Sequence, residues 1–188
     1  MIDVLLHNHA ATVSHGFNSI NTNTLKIAAE TIVDAILTGR NIFTCGNGAS
    51  ASIAQHWACD YTKGCSIIEK GIKPRVISLS ANIPLMTAIS NDISYDDVYS
   101  YQLERLADPG DVLITISSSG NSPNVVKAIE SSKELCVTSI ALTGFNGGKC
   151  KELADIPLHV DIHEYEAAED VHQAVMHMIA KYIRSELW

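Results

Sequence analysis

The residues of this chain that could do chemistry fall in two groups. The first is the turn in Ile114 to Val126, which reads ITISSSGNSPNVV. Ser117, Ser118, Ser119 and Ser122 place their hydroxyls directly after the apolar and β-branched run Val112 to Ile116. Ser122 suits a helix N-cap, and Pro123 suits the first helical position, where its missing N–H costs nothing. A hydroxyl-rich turn at the positive end of a helix is a ready anion site, and phosphate is its usual occupant. The same residues also make a good turn with no ligand at all.

The second group lies on two distant stretches. His56 and Asp60 are four residues apart, which brings both side chains onto one face of a helix. Glu169, His172 and His177 lie near the C-terminus; the spacing of eight between Glu169 and His177 lets both face one cleft. His56, Asp60, Glu169 and His177 are a donor set that could hold zinc, although their spacing matches no closed structural zinc site. The residues alone leave blander readings open. A helical His–Asp pair is a common surface contact, and a histidine among Val171, Val175, Met176 and Ile179 is a common buried, hydrogen-bonded residue.

The elements that must position these groups follow from periodicity. Helical spacing predicts helices over 3–17 and 24–38, the second closed by Gly39, and another after the Gly46-Asn47-Gly48-Ala49-Ser50 turn. Further helices are expected over 84–90, 95–106 and 123–135, in a short segment after Gly148, and from Tyr165 onward. Short β-branched runs at 41–45, 75–80, 112–116, 137–142 and 156–160 predict five strands. Strands alternating with helices, and lacking polar alternation, imply a parallel sheet covered on both faces: an α/β three-layer sandwich. Ligands of such sheets bind at the carboxyl ends of the strands, so the loops after Cys45, Ser80, Ile116 and Leu142 should share one rim.

Composition narrows the class. The 188 residues predict one domain, and 46% hydrophobic against 18% charged residues argues against disorder. A net charge of -8 without a basic run argues against a nucleic-acid ligand. There is no apolar run of membrane-spanning length and no basic start with a cleavage site, so a cytoplasmic protein is expected. Cys45, Cys59, Cys65, Cys136 and Cys150 contain no C-x-x-C and read as reduced thiols. No nucleotide is expected either. Gly46-x-Gly48-x-x-Ala51 approaches a dinucleotide fingerprint, but the next strand ends Ser78-Leu79-Ser80 without the ribose-binding acid. Gly144 to Lys149 is one residue short of a P-loop, and Cys150 replaces its Ser/Thr.

Five motifs together resemble the sugar isomerase (SIS) domain, and more closely the sedoheptulose-7-phosphate isomerase (phosphoheptose isomerase) family: CGNGAS with AQHWACD, AISND at 88–92, ISSSGNSPNVVKAI, ALTGFNGGK and EDVHQAVMH. The resemblance covers nearly the whole chain. It implies a single SIS domain over residues 1–188, a five-stranded parallel sheet, and a homotetramer with sites at subunit interfaces and helices of 1–38 in the interface. It implies that Ser117, Ser118, Ser119 and Ser122 hold a substrate phosphate, that Asn47, Gly48, Ala49, Ser50, Asn91 and Asp92 line the sugar, and that Glu169 also meets the substrate. It places zinc, one per subunit, on His56, Asp60, Glu169 and His177. The implied reaction is a ketose–aldose isomerisation through an enediol, with Asp60, His177 and Glu169 catalytic, supplying heptose for lipopolysaccharide or capsule. Two alternatives remain: isomerisation of another phosphosugar, and a non-catalytic SIS protein that binds a phosphosugar or a protein, as a relative that regulates replication initiation does. Three positions depart from the family pattern: Asp60 stands for Glu, Glu169 for Gln and Ala49 for the second Gly. Glu169 is expected to supply the reach that the shorter Asp60 lost.

Overall fold

The computed structural model describes residues 1–187. Strands β1 (Asn41–Gly46), β2 (Arg75–Ser78), β3 (Val112–Ser117), β4 (Thr138–Thr143) and β5 (Ile156–His159) form one sheet in the order β2-β1-β3-β4-β5. Every neighbouring pair is parallel. The helices are α1 (Ile2–Ser19), α2 (Thr22–Leu37), α3 (Ala49–Gly64), α4 (Ile83–Asp92), α5 (Ser100–Leu106), α6 (Pro123–Glu134), α7 (Gly148–Leu153) and α8 (Tyr165–Leu187). This is the expected α/β sandwich.

Side chains alternate across the strands and feed two cores. Ile42, Val112, Ile114, Ile116, Ile140 and Leu142 face α2, α3 and α8. Phe43, Cys45, Leu113 and Ala141 face the layer of α5 and α6. With both faces buried, the strands cannot show polar alternation, which is why they read as continuous apolar runs.

Two elements differ from expectation. The helix expected over 95–106 is a 3-10 turn at Tyr95–Asp97 followed by α5. Strand β2 stops at Ser78; Leu79 N–H still donates to Thr44 O (2.8 Å), and Ser80 then turns to the β1 end. Its hydroxyl donates to Gly46 O (3.0 Å) and accepts from Gly46 N–H (3.2 Å), so the loops after β1 and β2 are tied together.

The strand order fixes where the loops open. From β1 the chain moves outward to β2, then returns across β1 to form β3. The connections after β1 and β3 therefore leave in opposite directions, and a crevice opens between them at the carboxyl ends. A second tie closes the rim on the other side: Gly144 N–H donates to Ser118 O (2.8 Å), and Cys150 N–H donates to Gly120 O (2.9 Å).

Helices α3 and α8 run side by side. Tyr61 Oη reaches Met176 O (3.4 Å) and Cys65 Sγ reaches Ala180 O (3.8 Å), so residue numbers rise together along both helices and the two are parallel. Trp57, Tyr61, Cys65, Val171, Val175, Met176, Ile179 and Ala180 fill the space between them and the sheet.

His172 lies in this core, fully buried. It is buried as an apolar-face histidine should be, but neither ring nitrogen has a hydrogen-bond partner among the described residues. Burial pushes its pKa down from 6.5 to about 4. Between those values the unfolded chain binds a proton that the folded chain refuses. The stability from the neutral ring is thus complete above pH 6.5 and lost as pH falls through about 4. The full effect is about 3 kcal/mol. Unfolding of the protein and of His172→Leu across pH 7 to 4 should therefore show the variant gaining on the parent as pH falls; parallel curves would refute this.

Gly120 sits at φ +67°, and a Cβ there would lie 1.9 Å from the Gly147 carbonyl oxygen. Gly120→Ala combines left-handed strain with a clash between two backbones and should cost about 2 kcal/mol or more. Thermal melts would register it as a clear fall in Tm.

Candidate active site

The crevice between the β1 and β3 loops is a pocket lined by Asn47, Ser50, Ser117, Ser118, Ser119 and Ser122, with Ile116 at its floor and Tyr165 and Glu169 on the α8 side. It encloses about 190 Å³, far above the ~10–15 Å³ that a single water needs. Ser122 occupies the N-cap position of α6, and Pro123 follows within the first turn, as the sequence implies. The Ser122 hydroxyl makes no cap hydrogen bond; it lies 3.5 Å from Ser117 Oγ and faces the pocket. Ser118 Oγ is buried without a partner among the described residues. A buried hydroxyl without a partner carries the full cost of desolvation, and an anion in the pocket would relieve it.

Asn47 forms the inner wall. Its amide pairs reciprocally with Asn124 (2.8 and 2.9 Å), and its Oδ1 accepts from Tyr95 Oη and Tyr99 Oη (3.0 Å each). Burial raises the pKa of the Tyr99 phenol, so it remains a donor. Asn124 follows Pro123 on α6, so this one amide pair braces the loop after β1 against the helix after β3. Glu169 lines the pocket with its pKa raised, first by burial and then by Glu166 and Asp170.

A second cluster lies further along the paired helices, on their partly exposed face. Asp60 Oδ1 is 3.2 Å from His56 Nε2, and Asp60 Oδ2 is 3.7 Å from His177 Nε2. The ligand atoms of His56, Asp60 and His177 all lie within 4.8 Å of one another. The two imidazoles meet edge to face, with centroids 5.2 Å apart. Two neutral nitrogens and a carboxylate, partly open to solvent, match the donor set of a zinc site with three protein ligands and a free position.

The side chains thus bring together three of the four residues expected at the metal and leave Glu169 out. The reason is helical rise. Eight residues advance about 12 Å along α8, two turns rather than one, so Glu169 stays at the rim while His177 sits deeper. The residue that does join the cluster is Gln173, one turn before His177: its amide nitrogen is 2.8 Å from His56 Nδ1 and 3.3 Å from His177 Nε2. Of the residues expected around a sugar, Asn47 and Ser50 line the pocket, while Gly48, Ala49, Asn91 and Asp92 do not. Gly48 and Ala49 are exposed, and Asn91 and Asp92 bond to each other at the end of α4 (2.7 Å). Nearby Tyr95 links that end of α4 to the pocket through its bond to Asn47.

Tyr165, Asn124, Tyr95, Tyr99 and Gln173 were not picked out by sequence. Signals existed for two of them: Asn124 directly follows the Ser-Pro cap, and Gln173 is at the i−4 position from His177.

Comparison with known proteins gives this geometry a context. The SIS domain family matches residues 7–144. A probable phosphoheptose isomerase of Thermoplasma acidophilum is 43% identical over 167 residues, 87% of this chain and 90% of its own length. A phosphoheptose isomerase of Aliarcobacter butzleri is 39% identical over 163 residues, 87% and 85% of the two chains. The structure of phosphoheptose isomerase GmhA from Neisseria gonorrhoeae superposes with a TM-score of 0.88 at 31% identity, over 97% of this chain and 98% of that one. By sequence over most of its length and by fold over nearly all of it, the chain belongs to the SIS-domain phosphoheptose isomerase family.

Proposed function

We propose that this protein isomerises sedoheptulose 7-phosphate to D-glycero-D-manno-heptose 7-phosphate through an enediol, supplying heptose for lipopolysaccharide or capsule. The observation that carries the reading is the pairing of the two sites. Ser50 in the hydroxyl pocket and His56 in the deeper cluster are six residues apart on α3, about 9 Å along its axis. An extended seven-carbon chain of ~1.5 Å bonds reaches ~8 Å, and its phosphate ester adds a few more. The two lengths are of the same order, which supports one molecule with its phosphate among the serines and its carbonyl end at the cluster of His56, Asp60 and His177.

The roles follow from the chemistry of a C1/C2 proton shift. Asp60 takes the proton from C1 of the ketose and returns it to C2. His177, through Nδ1, the ring nitrogen not turned to Asp60, takes the proton from the C1 hydroxyl and delivers it to the C2 oxygen, so the two transfers balance and leave an aldose. Positioned acid–base groups of this kind contribute about 10²–10⁴-fold each. His56, Asp60 and His177 would hold one zinc per subunit, which when bound supplies Lewis-acid polarisation of the sugar carbonyl. Glu169, at the rim between phosphate and sugar, is placed to serve the substrate rather than the metal.

The exposed apolar residues of α1, among them Ile2, Val4, Leu5 and Leu6, support a homotetramer that buries this face. No helix among the described residues is long and apolar enough to cross a membrane, which fits a cytoplasmic enzyme.

Turnover of sedoheptulose 7-phosphate by the purified protein, with and without chelator, tests the reading. Appearance of the aldose is expected, and its absence alongside thermal stabilisation by phosphosugars would favour a binding module. Asp60→Asn should lower kcat by 10²-fold or more while leaving the fold intact. Ser118→Ala should act on the other end of the substrate, raising KM for the phosphorylated sugar with little change in kcat; an unchanged KM would separate Ser118 from phosphate binding.

A further inference from the structure

Gln173 has no role in the chemistry above, yet its amide sits between both imidazoles of the inner cluster. It lies 2.8 Å from His56 Nδ1 and 3.3 Å from His177 Nε2. In this arrangement its NH₂ group donates to a lone pair on each ring, so the His56 proton is on Nε2, directed at Asp60 Oδ1 3.2 Å away.

That arrangement is incompatible with a cation at the cluster. In both rings Nε2 is the nitrogen facing the Asp60 carboxylate. A divalent ion beside that carboxylate needs the Nε2 lone pairs, so the His56 proton must move to Nδ1. Proton-bearing Nδ1 then faces the amide NH₂, donor against donor. Turning the amide by 180° about its last bond exchanges nitrogen for oxygen in nearly the same volume and converts the clash into a hydrogen bond. Metal-bound histidines commonly have their second nitrogen held in this way by an oxygen acceptor, and that acceptor fixes the tautomer.

We propose that Gln173 is the positioning residue of the metal centre: its amide oxygen accepts from His56 Nδ1–H and so presents the Nε2 lone pair to a zinc-class cation held with Asp60 and His177. This rests on the metal reading given under Proposed function. Gln173 does not line the serine pocket; it acts through His56.

The test is zinc affinity measured by competition with a chromophoric chelator, together with ¹⁵N imidazole shifts of histidine-labelled protein before and after zinc. In the parent, zinc should move the His56 proton from Nε2 to Nδ1. Gln173→Leu removes the acceptor and should bind zinc about 10–100-fold more weakly, with an unchanged melting temperature in the absence of zinc. Gln173→Glu keeps an acceptor oxygen and should retain at least the parent affinity. Zinc-loaded parent protein without a proton on His56 Nδ1 would overturn the proposal even if the leucine variant did not fold, and so would equal affinity in Gln173→Leu. Failure of the parent to bind zinc at all would overturn this inference and the metal centre together, whereas the isomerase reading stands or falls separately on the turnover assay.

Discussion

The packing of α3 against α8 is the constraint on which the rest depends. Two parallel helices starting at the same rim can be held in only a few registers, and here Trp57 and Tyr61, in tilted contact at 5.1 Å and fully buried, select one. Burying such side chains is worth about 2–3 kcal/mol each, more than any ion pair on the exposed faces of these helices provides. That register sets His56 and Asp60 opposite Gln173 and His177. A slip of one residue would rotate every facing side chain by about 100° and dissolve the cluster. The chemistry at the surface is thus held by apolar contacts beneath it.

The same two helices connect the chemistry to the anchor. Their N-termini rise from the carboxyl edge of the sheet, where Ser50 on α3 and Glu169 on α8 meet the serines of the β3 loop. Distance along the helices becomes distance along the substrate. On the proposed function, an ester phosphate held at the rim would leave its far end one to two helical turns along, beside the carboxylate and imidazoles. Hydroxyls dominate the pocket, beside the Asn47 amide and the Glu169 carboxylate, with no lysine or arginine among its lining residues. Its selectivity then lies in shape and hydrogen bonding rather than in net charge, which suits a protein whose formal charge is -8.

Rigidity around the pocket comes from bonds between loops. Ser80 to Gly46, Asn47 to Asn124, and Gly144 to Ser118 join four strand ends into one rim. Each bond is worth about 1 kcal/mol alone, but together they leave the loops little freedom to lose on binding. The Asn47 amide is central to this, since Tyr95, Tyr99 and Asn124 all converge on it.

By itself the sequence determined the local structure and the chemical inventory. The β-branched runs dictated strands, the Ser-Pro cap dictated where α6 begins, and the four-residue spacing of His56 and Asp60 placed both on one helical face, because each of these is a matter of a few neighbouring residues. Tertiary structure decided which inventory residues meet. Glu169 lines the serine pocket and does not join the His56–Asp60–His177 cluster, and Gln173 took a place beside the imidazoles, because the axial offset between two helices is set by the side chains packed between them and not by spacing within either one. Asn91 and Asp92 were legible as a motif, yet in this chain they do not line the pocket, for the same kind of reason. The end of α4 is placed against the Tyr95 turn, which in turn packs on α6, contacts that no local pattern encodes.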